Sequence, residues 1–306
     1  MDLLKKNRSS SSGNDDKYYI DCSKIDASSI EPMEIIKNKK ITSRNRFDTI
    51  ILHAITQNEL IKKKNRHIVV KIGRTKEGNE YIAQKEYNIG KQLVGINGFI
   101  RFLCIFSCYD DSSEHAQATQ TPIPTNNPIC TSNNKKNDKF VLVMPYIKEG
   151  SMHDYNWTID NIDFIKLLMI HTVLSLTEAF VKIGFIHGDL HWGNILFKKT
   201  TKHEIIYDIG GNKIPFATHG YKVVLMDFEK SLIGNQQNEL FWSKMKRALI
   251  FDITTPDNQY IYWQNNKILS FVDRMTETKQ SPVKKIEEFV NVIADSAFKI
   301  IQQKQG

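Results

Sequence analysis

Apolar and polar residues alternate over short runs through the first half of the chain. The runs Thr49 to Ile55, His67 to Ile72, Phe99 to Ser107 and Phe140 to Met144 read as strands, with one helical pattern from Gly78 to Val94. After Gly150 the period lengthens to that of a helix over about Ile162 to Ile183. Short strands follow at Ile195 to Phe197 and Val223 to Met226, then helical segments to the end. No internal repeat interrupts this order. The pattern predicts an α+β protein with a strand-rich first half and a mainly helical second half.

Two tracts carry too little apolar surface to offset the entropy of ordering. Residues 1–16 are serine-rich and charged and read as a disordered tail; 110–138, rich in Ser, Thr, Asn, Gln and Pro, read as a polar surface insertion. Within 199–221 two β-like runs flank Gly210-Gly-Asn212, which predicts a hairpin extending the neighbouring strands.

The 306 residues, 41% hydrophobic, suffice for one large domain or two lobes sharing a cleft. Four scattered cysteines, Cys22, Cys104, Cys108 and Cys130, form no CxxC pair and indicate neither a disulfide framework nor a structural metal. A reducing compartment, cytoplasmic or nuclear, is therefore expected. The N-terminus, polar from Lys5 to Lys17, does not read as a signal peptide. Phe164 to Ile186 is interrupted by Lys166, His171, Glu178 and Lys182, so no membrane span is expected. The net charge of +8 reads as lysines spread over a solvated surface, which does not require a nucleic-acid partner. The Lys-, Ile- and Asn-rich composition fits an AT-rich genome, whether of a large DNA virus or a reduced eukaryote.

The segment Phe185-Ile-His-Gly-Asp-Leu-His-Trp-Gly-Asn-Ile-Leu-Phe197 holds the clearest chemistry, because it sets an Asp and an Asn close together between a helix and a strand. Phosphoryl transfer needs a carboxylate to orient a hydroxyl and take its proton, and a neutral oxygen to complete the shell of Mg²⁺. Asp189 suits the first role and Asn194 the second. The segment resembles the protein-kinase catalytic loop H-R-D-L-x-x-x-N at His187, Asp189, Leu190 and Asn194.

That resemblance implies the two-lobed kinase fold, an N-lobe and hinge over 17–147 and a shortened C-lobe over 148–306, with ATP and Mg²⁺ as cofactors. Other roles follow from it. Val223-Val-Leu-Met-Asp-Phe-Glu229 resembles the D-F-G segment, making Asp227 a metal ligand beside Asn194. His67-Ile-Val-Val-Lys-Ile72 resembles the strand whose lysine holds the α- and β-phosphates, so Lys71 takes that place. Glu86, with Glu80 as rival, is the carboxylate that positions it. Phe140 to Ser151 resembles the strand and hinge that bind adenine through backbone, with Met144 as gatekeeper and Pro145 and Ile147 supplying carbonyl and amide.

Departures from the kinase pattern are equally specific. Residues 42–50 occupy the place of the glycine-rich phosphate loop without its glycines, and Asn45 and Phe47 become the nucleotide-covering residues there. Gly188 replaces the arginine that reads activation-loop phosphorylation, with Arg247 or Lys246 as basic stand-ins. No A-P-E triplet follows Asp227, and Ile250-Phe-Asp-Ile253 resembles the helix whose Asp, here Asp252, braces the catalytic loop.

His-Gly-Asp-Leu-His-Trp-Gly-Asn at 187–194, Lys198-Lys-Thr200 and the insertion before Asp227 are most similar to haspin-like atypical kinases. That likeness implies transfer of the γ-phosphate of ATP to Ser/Thr of a protein substrate, a basic or chromatin-associated one, without activation-loop phosphorylation. Two alternatives stay open: a small-molecule kinase of the aminoglycoside or choline type, and a pseudokinase scaffold. Nothing in the sequence fixes the oligomeric state.

Overall fold

The computed structural model describes residues 30–39, 49–62, 66–74, 80–108, 139–161, 163–254, 259–263, 266–296 and 299–302. The expected tail at 1–16, the insertion at 110–138 and the candidate residues Asn45 and Phe47 lie outside them. The chain divides into two compact units, Met1–Glu77 with Leu103–Pro145, and Gly78–Phe102 with Tyr146–Gly306.

In the first unit five antiparallel strands, β1 (Ile30–Lys39), β2 (Thr49–Thr56), β3 (His67–Arg74), β4 (Cys104–Cys108) and β5 (Lys139–Pro145), form one sheet in the order β1-β2-β3-β5-β4. Its core follows from a period of two. Ile68, Val70 and Ile72 of β3 share a face with Leu52, Ala54, Val141, Val143 and Cys104, and Ile61 of the short helix α1 (Glu59–Lys62) joins them. The same period sends Lys71 to the opposite face, between Ile51 of β2 and Leu142 of β5.

Strand β1 has no counterpart in the hydrophobic pattern. Its register shifts between Pro32 and Glu34 and again between Ile35 and Lys37, so two bulges break the alternation that would reveal a strand. As an edge strand it also tolerates Pro32.

The apolar run expected as one strand over 99–107 is divided. Phe99 bridges Leu225 in the second unit, with Ile100 N–H donating to the Leu225 carbonyl (2.8 Å) and Leu225 N–H to the Gly98 carbonyl (2.7 Å). Only 104–108 continue as β4. The helix α2 (Glu80–Gln92), expected with the strand-rich half, belongs by its contacts to the second unit.

The second unit is built around α3 (Asp163–Ile183). By length and a mean hydropathy of 1.6 this helix passes for a membrane span, contrary to the reading of its interrupting residues, but 78% of that stretch is buried within the fold. The polar interruptions have partners: Glu178 is 2.6 Å from Lys182, and His171 Nδ1 lies 2.8 Å from the Tyr207 hydroxyl.

Strands β6 (Ile195–Lys199) and β9 (Tyr221–Leu225) pair antiparallel, and β7 (Glu204–Ile209) and β8 (Asn212–Ala217) form the predicted hairpin. Gly210 and Gly211 turn it at φ +62° and +88°, a left-handed pair that glycine adopts without strain. The hairpin does not extend β6 and β9; it is a separate two-stranded sheet. Alternate residues Ile205, Tyr207 and Ile209 need an apolar cover and find it against α3.

Beyond Asp227, helices α4 (Asn238–Lys246), α5 (Asn266–Thr278) and α6 (Pro282–Ala294) share an aromatic core of Phe241, Trp242, Phe271 and Phe289. The chain is not helical to its end. Strands β10 (Phe251–Thr254), β11 (Gln259–Trp263) and β12 (Lys299–Gln302) form an antiparallel sheet, so Asp252 stands on a strand opposite Tyr262 and not on a loop-bracing helix. β12 reaches its partner from the far end of the unit, and this non-local pairing leaves no periodic signal.

Candidate active site

The catalytic-loop segment leaves α3 through Gly184 and is fixed from two sides. Ile186 and Leu232 exchange backbone hydrogen bonds of 2.9 and 2.8 Å, and Ser231 Oγ donates to the His187 carbonyl at 2.8 Å. Gly188 sits at φ +77°, and a Cβ there would collide with the Lys230 carbonyl oxygen. Glycine is therefore a steric demand of the segment that follows Asp227, as well as the loss of an arginine.

Asp189 comes next, its side chain 18% exposed and both carboxylate oxygens engaged. Lys230 Nζ lies 2.7 Å from Oδ2 and Arg247 Nη1 2.8 Å from Oδ1. Burial alone would raise its pKa; the Lys230 hydrogen bond, with the charges of Lys230, Arg247 and His191, outweighs this and holds the carboxyl below its ordinary value. Of the two basic residues singled out in the sequence, Arg247 contacts Asp189, whereas Lys246 pairs with Asp273 at 2.7 Å. The Asp189 contact of Lys230 was not foreseen, since nothing in a local motif signals a lysine reaching back across the fold. The Ala248 carbonyl accepts from Trp192 Nε1 at 2.9 Å and ties the loop to the segment after α4; the side chain of Asp252 lies outside the described residues.

One turn of 3-10 helix, Trp192–Asn194, carries the chain into β6. His191 caps it by accepting from Gly193 N–H at 3.1 Å, and Asn194 Nδ2 donates to the Asp189 carbonyl at 3.0 Å. That bond fixes the amide orientation, leaving Asn194 Oδ1 as the acceptor. The Asn194 carbonyl accepts from Met226 N–H at 3.1 Å, which places the residue before Asp227 directly against the loop.

Asp227 adopts φ +67°, a left-handed conformation that costs a non-glycine residue about 1–2 kcal/mol and that Asp tolerates better than most. Its neighbours hold it there. Phe228 is fully buried among Phe99, Phe102, Phe185 and His187, and its N–H donates to Glu86 Oε1 at 3.2 Å. Glu86, itself buried on α2, therefore anchors the Asp-Phe turn, while Lys85 Nζ reaches the Glu229 carbonyl at 3.4 Å. The rival Glu80 opens α2, and its side chain lies outside the described residues.

The structure thus brings Glu86, Asp189, Asn194 and Asp227 together within the second unit. Lys71 and the buried gatekeeper candidate Met144 belong to the first, where Val69 pairs with Met144 and Ile68 with Pro145. Ile147 belongs to the second unit and is a buried residue whose carbonyl accepts from Gly150 N–H at 3.2 Å.

Asn194 and Asp227 offer an amide and a carboxylate oxygen, the hard donors that suit Mg²⁺. Among the described residues no cluster of three or more His, Cys, Asp or Glu is present. Two protein donors are what Mg²⁺ commonly takes when phosphate oxygens and water fill the remaining positions.

His187 and His171 set a pH limit on this framework. His187 Nε2 donates to the Met226 carbonyl at 2.9 Å, while His187 Nδ1 and His171 Nε2 are buried with no hydrogen-bond partner among the described residues. Burial lowers both pKa values to about 4 from 6.5. The unfolded chain binds more protons between these values, so stability falls as the pH drops from about 6.5 towards 4. Each histidine costs on the order of 2 kcal/mol by pH 5. Urea unfolding midpoints should fall between pH 7 and 5, and less steeply in His171→Asn; a flat profile would refute this.

These features define the catalytic half of a protein-kinase domain. Residues 3–280 match the family model described as the haspin-like kinase domain, and the chain belongs to that family. Over 122 residues it is 25% identical to the serine/threonine-protein kinase haspin homolog of Arabidopsis thaliana, a stretch covering 40% of this chain and 20% of the relative. It is 30% identical over 97 residues to the serine/threonine-protein kinase haspin of Bos taurus, covering 31% and 12%. With haspin of Mus musculus the identity is 38% over 66 residues, covering 22% and 9%. In these matches the chain spans no more than 20% of a relative's length.

Proposed function

We propose that the chain is an ATP-dependent serine/threonine protein kinase, transferring the γ-phosphate to a hydroxyl of a protein substrate. One observation carries this reading: Asp189 is held ionised by Lys230 and Arg247 in the same hydrogen-bonded turn that fixes Asn194 and, through Met226, Asp227.

An ionised Asp189 accepts the proton of the attacking hydroxyl and orients it. Lys230 and Arg247, more than half exposed, release an oxygen to the substrate at little cost, because solvent-exposed ion pairs contribute only about 0–1 kcal/mol. Asn194 and Asp227 would hold Mg²⁺, which supplies charge neutralisation for the transferring phosphoryl group. Glu86 keeps the Asp-Phe turn in register, and Lys71 contributes an ammonium to the α- and β-phosphates. Met144, Pro145 and Ile147 are the residues that the kinase resemblance assigns to adenine. By likeness to haspin-like kinases the substrate is a basic or chromatin-associated protein inside the cell.

The proposal includes independence from activation-loop phosphorylation. Gly188 provides no arginine to receive a phosphate, and Arg247 contacts Asp189 without one. Dephosphorylated chain given Mg-ATP should modify Ser/Thr peptides of a pooled library as fast as untreated chain, with sites read by mass spectrometry. Transfer confined to aminoglycoside or choline acceptors run in parallel, or a large loss of rate after phosphatase, would contradict the reading.

A further inference from the structure

At the end of β6 and β9 remote from Asn194 and Asp227, the antiparallel register sets Lys198 directly opposite Lys222. Like charges facing each other across a strand pair are destabilising, and a sheet without another use for them would separate them. Both lysines are half-buried, which deprives their ammonium groups of water. Burial lowers the pKa of each; Arg101 adds its charge at Lys198, where Glu149 opposes it, and Lys198, Lys202 and Arg101 add theirs at Lys222.

The two lysines line an open cleft of about 650 Å³ with Lys199, Thr200, Thr201 and Tyr221. Hydroxyl donors therefore stand among the cations. Around this cleft Arg101, Lys198, Lys199, Lys202 and Lys222 are positive, and Glu149 is the carboxylate that acts on Lys198. Lysines dispersed over a solvated surface would face outward and apart; here the strand register and partial burial concentrate them.

We propose that this cleft is a second binding site, separate from the transfer chemistry, for a multiply charged phosphate anion. Ammonium groups and threonine hydroxyls are complementary to the oxygens of a phosphate dianion, and bringing one between Lys198 and Lys222 replaces repulsion with two charge-assisted hydrogen bonds. The phosphate can arrive on a phosphorylated peptide or as a free polyphosphate.

Calorimetric titration of the full chain in metal-free, low-salt buffer tests this with two probes, tripolyphosphate and a doubly phosphorylated serine peptide. Either probe should bind at least tenfold more weakly to Lys198→Met/Lys222→Met than to wild type, and the tighter of the two identifies the source of the phosphate. The double variant, freed of its facing charges, should melt at a higher temperature than wild type in low salt, and phosphate should raise the wild-type melting temperature only. The single variant Lys222→Met should show the same loss should the double variant not fold. Binding of neither probe by wild type, or equal binding by wild type and variants, would overturn the proposal.

Discussion

Asp189→Ala is expected to lower phosphoryl transfer by about 10²- to 10⁴-fold, the usual contribution of a positioned general base, while Mg-ATP binding stays near the wild-type value. The structure separates the two effects. Asn194 bonds to the Asp189 backbone carbonyl and not to its carboxylate, so alanine leaves the metal-ligand geometry in place. Lys230 and Arg247 lose their partner but are 62% and 65% exposed, and water replaces the carboxylate. Thermal unfolding should confirm a fold weakened by no more than about 1 kcal/mol. A variant within threefold of the wild-type rate would remove Asp189 from the mechanism.

Asp227→Asn should abolish the dependence of ATP affinity on Mg²⁺ and reduce transfer below detection. Asparagine is the informative replacement, because it tolerates the left-handed backbone at φ +67° and removes only the charge. Alanine would add backbone strain and confuse binding with folding. The Phe228 N–H bond to Glu86 is a backbone donor and survives the change. Titrating ATP with and without Mg²⁺ reads the outcome: Mg²⁺ tightens binding by wild type and not by the variant. An unchanged Mg²⁺ effect would mean that another group holds the metal.

The residues that make these predictions possible were legible to different degrees. The catalytic-loop motif could be read from sequence because its residues lie within one contiguous segment, from His187 to Asn194, although only some of its bonds are local and the rest come from distant residues. The hairpin was equally readable, since Gly210 and Gly211 state the turn type themselves. Its placement was not, because packing on α3 is decided by which apolar face is free, not by strand propensity. The sheet at 251–302 and the bulged β1 escaped for opposite reasons: one depends on pairing over long separations, the other breaks the alternation locally.

Gly188 shows how a residue can be noticed for one reason and retained for another. As a missing arginine it pointed to regulation; the fold adds that no side chain fits beneath the Lys230 carbonyl. Lys230 and Arg247 mark the same limit from the other direction. Lys230 carried no signal in sequence and Arg247 was singled out only as a basic stand-in beside Lys246; the return of the 227–232 segment and the end of α4 to the loop brings both onto one carboxylate.

The central claim is that this haspin-like domain transfers phosphate at Asp189 without prior phosphorylation. The most direct measurement is single-turnover transfer of labelled γ-phosphate from Mg-ATP to a Ser/Thr peptide pool, by fully dephosphorylated wild type beside Asp189→Ala. The account predicts one stoichiometric phase of labelled peptide for wild type, absent without Mg²⁺ and slowed by at least about 10² in the variant. Tight Mg-ATP binding with no labelled product, or equal phases from both proteins, would contradict it.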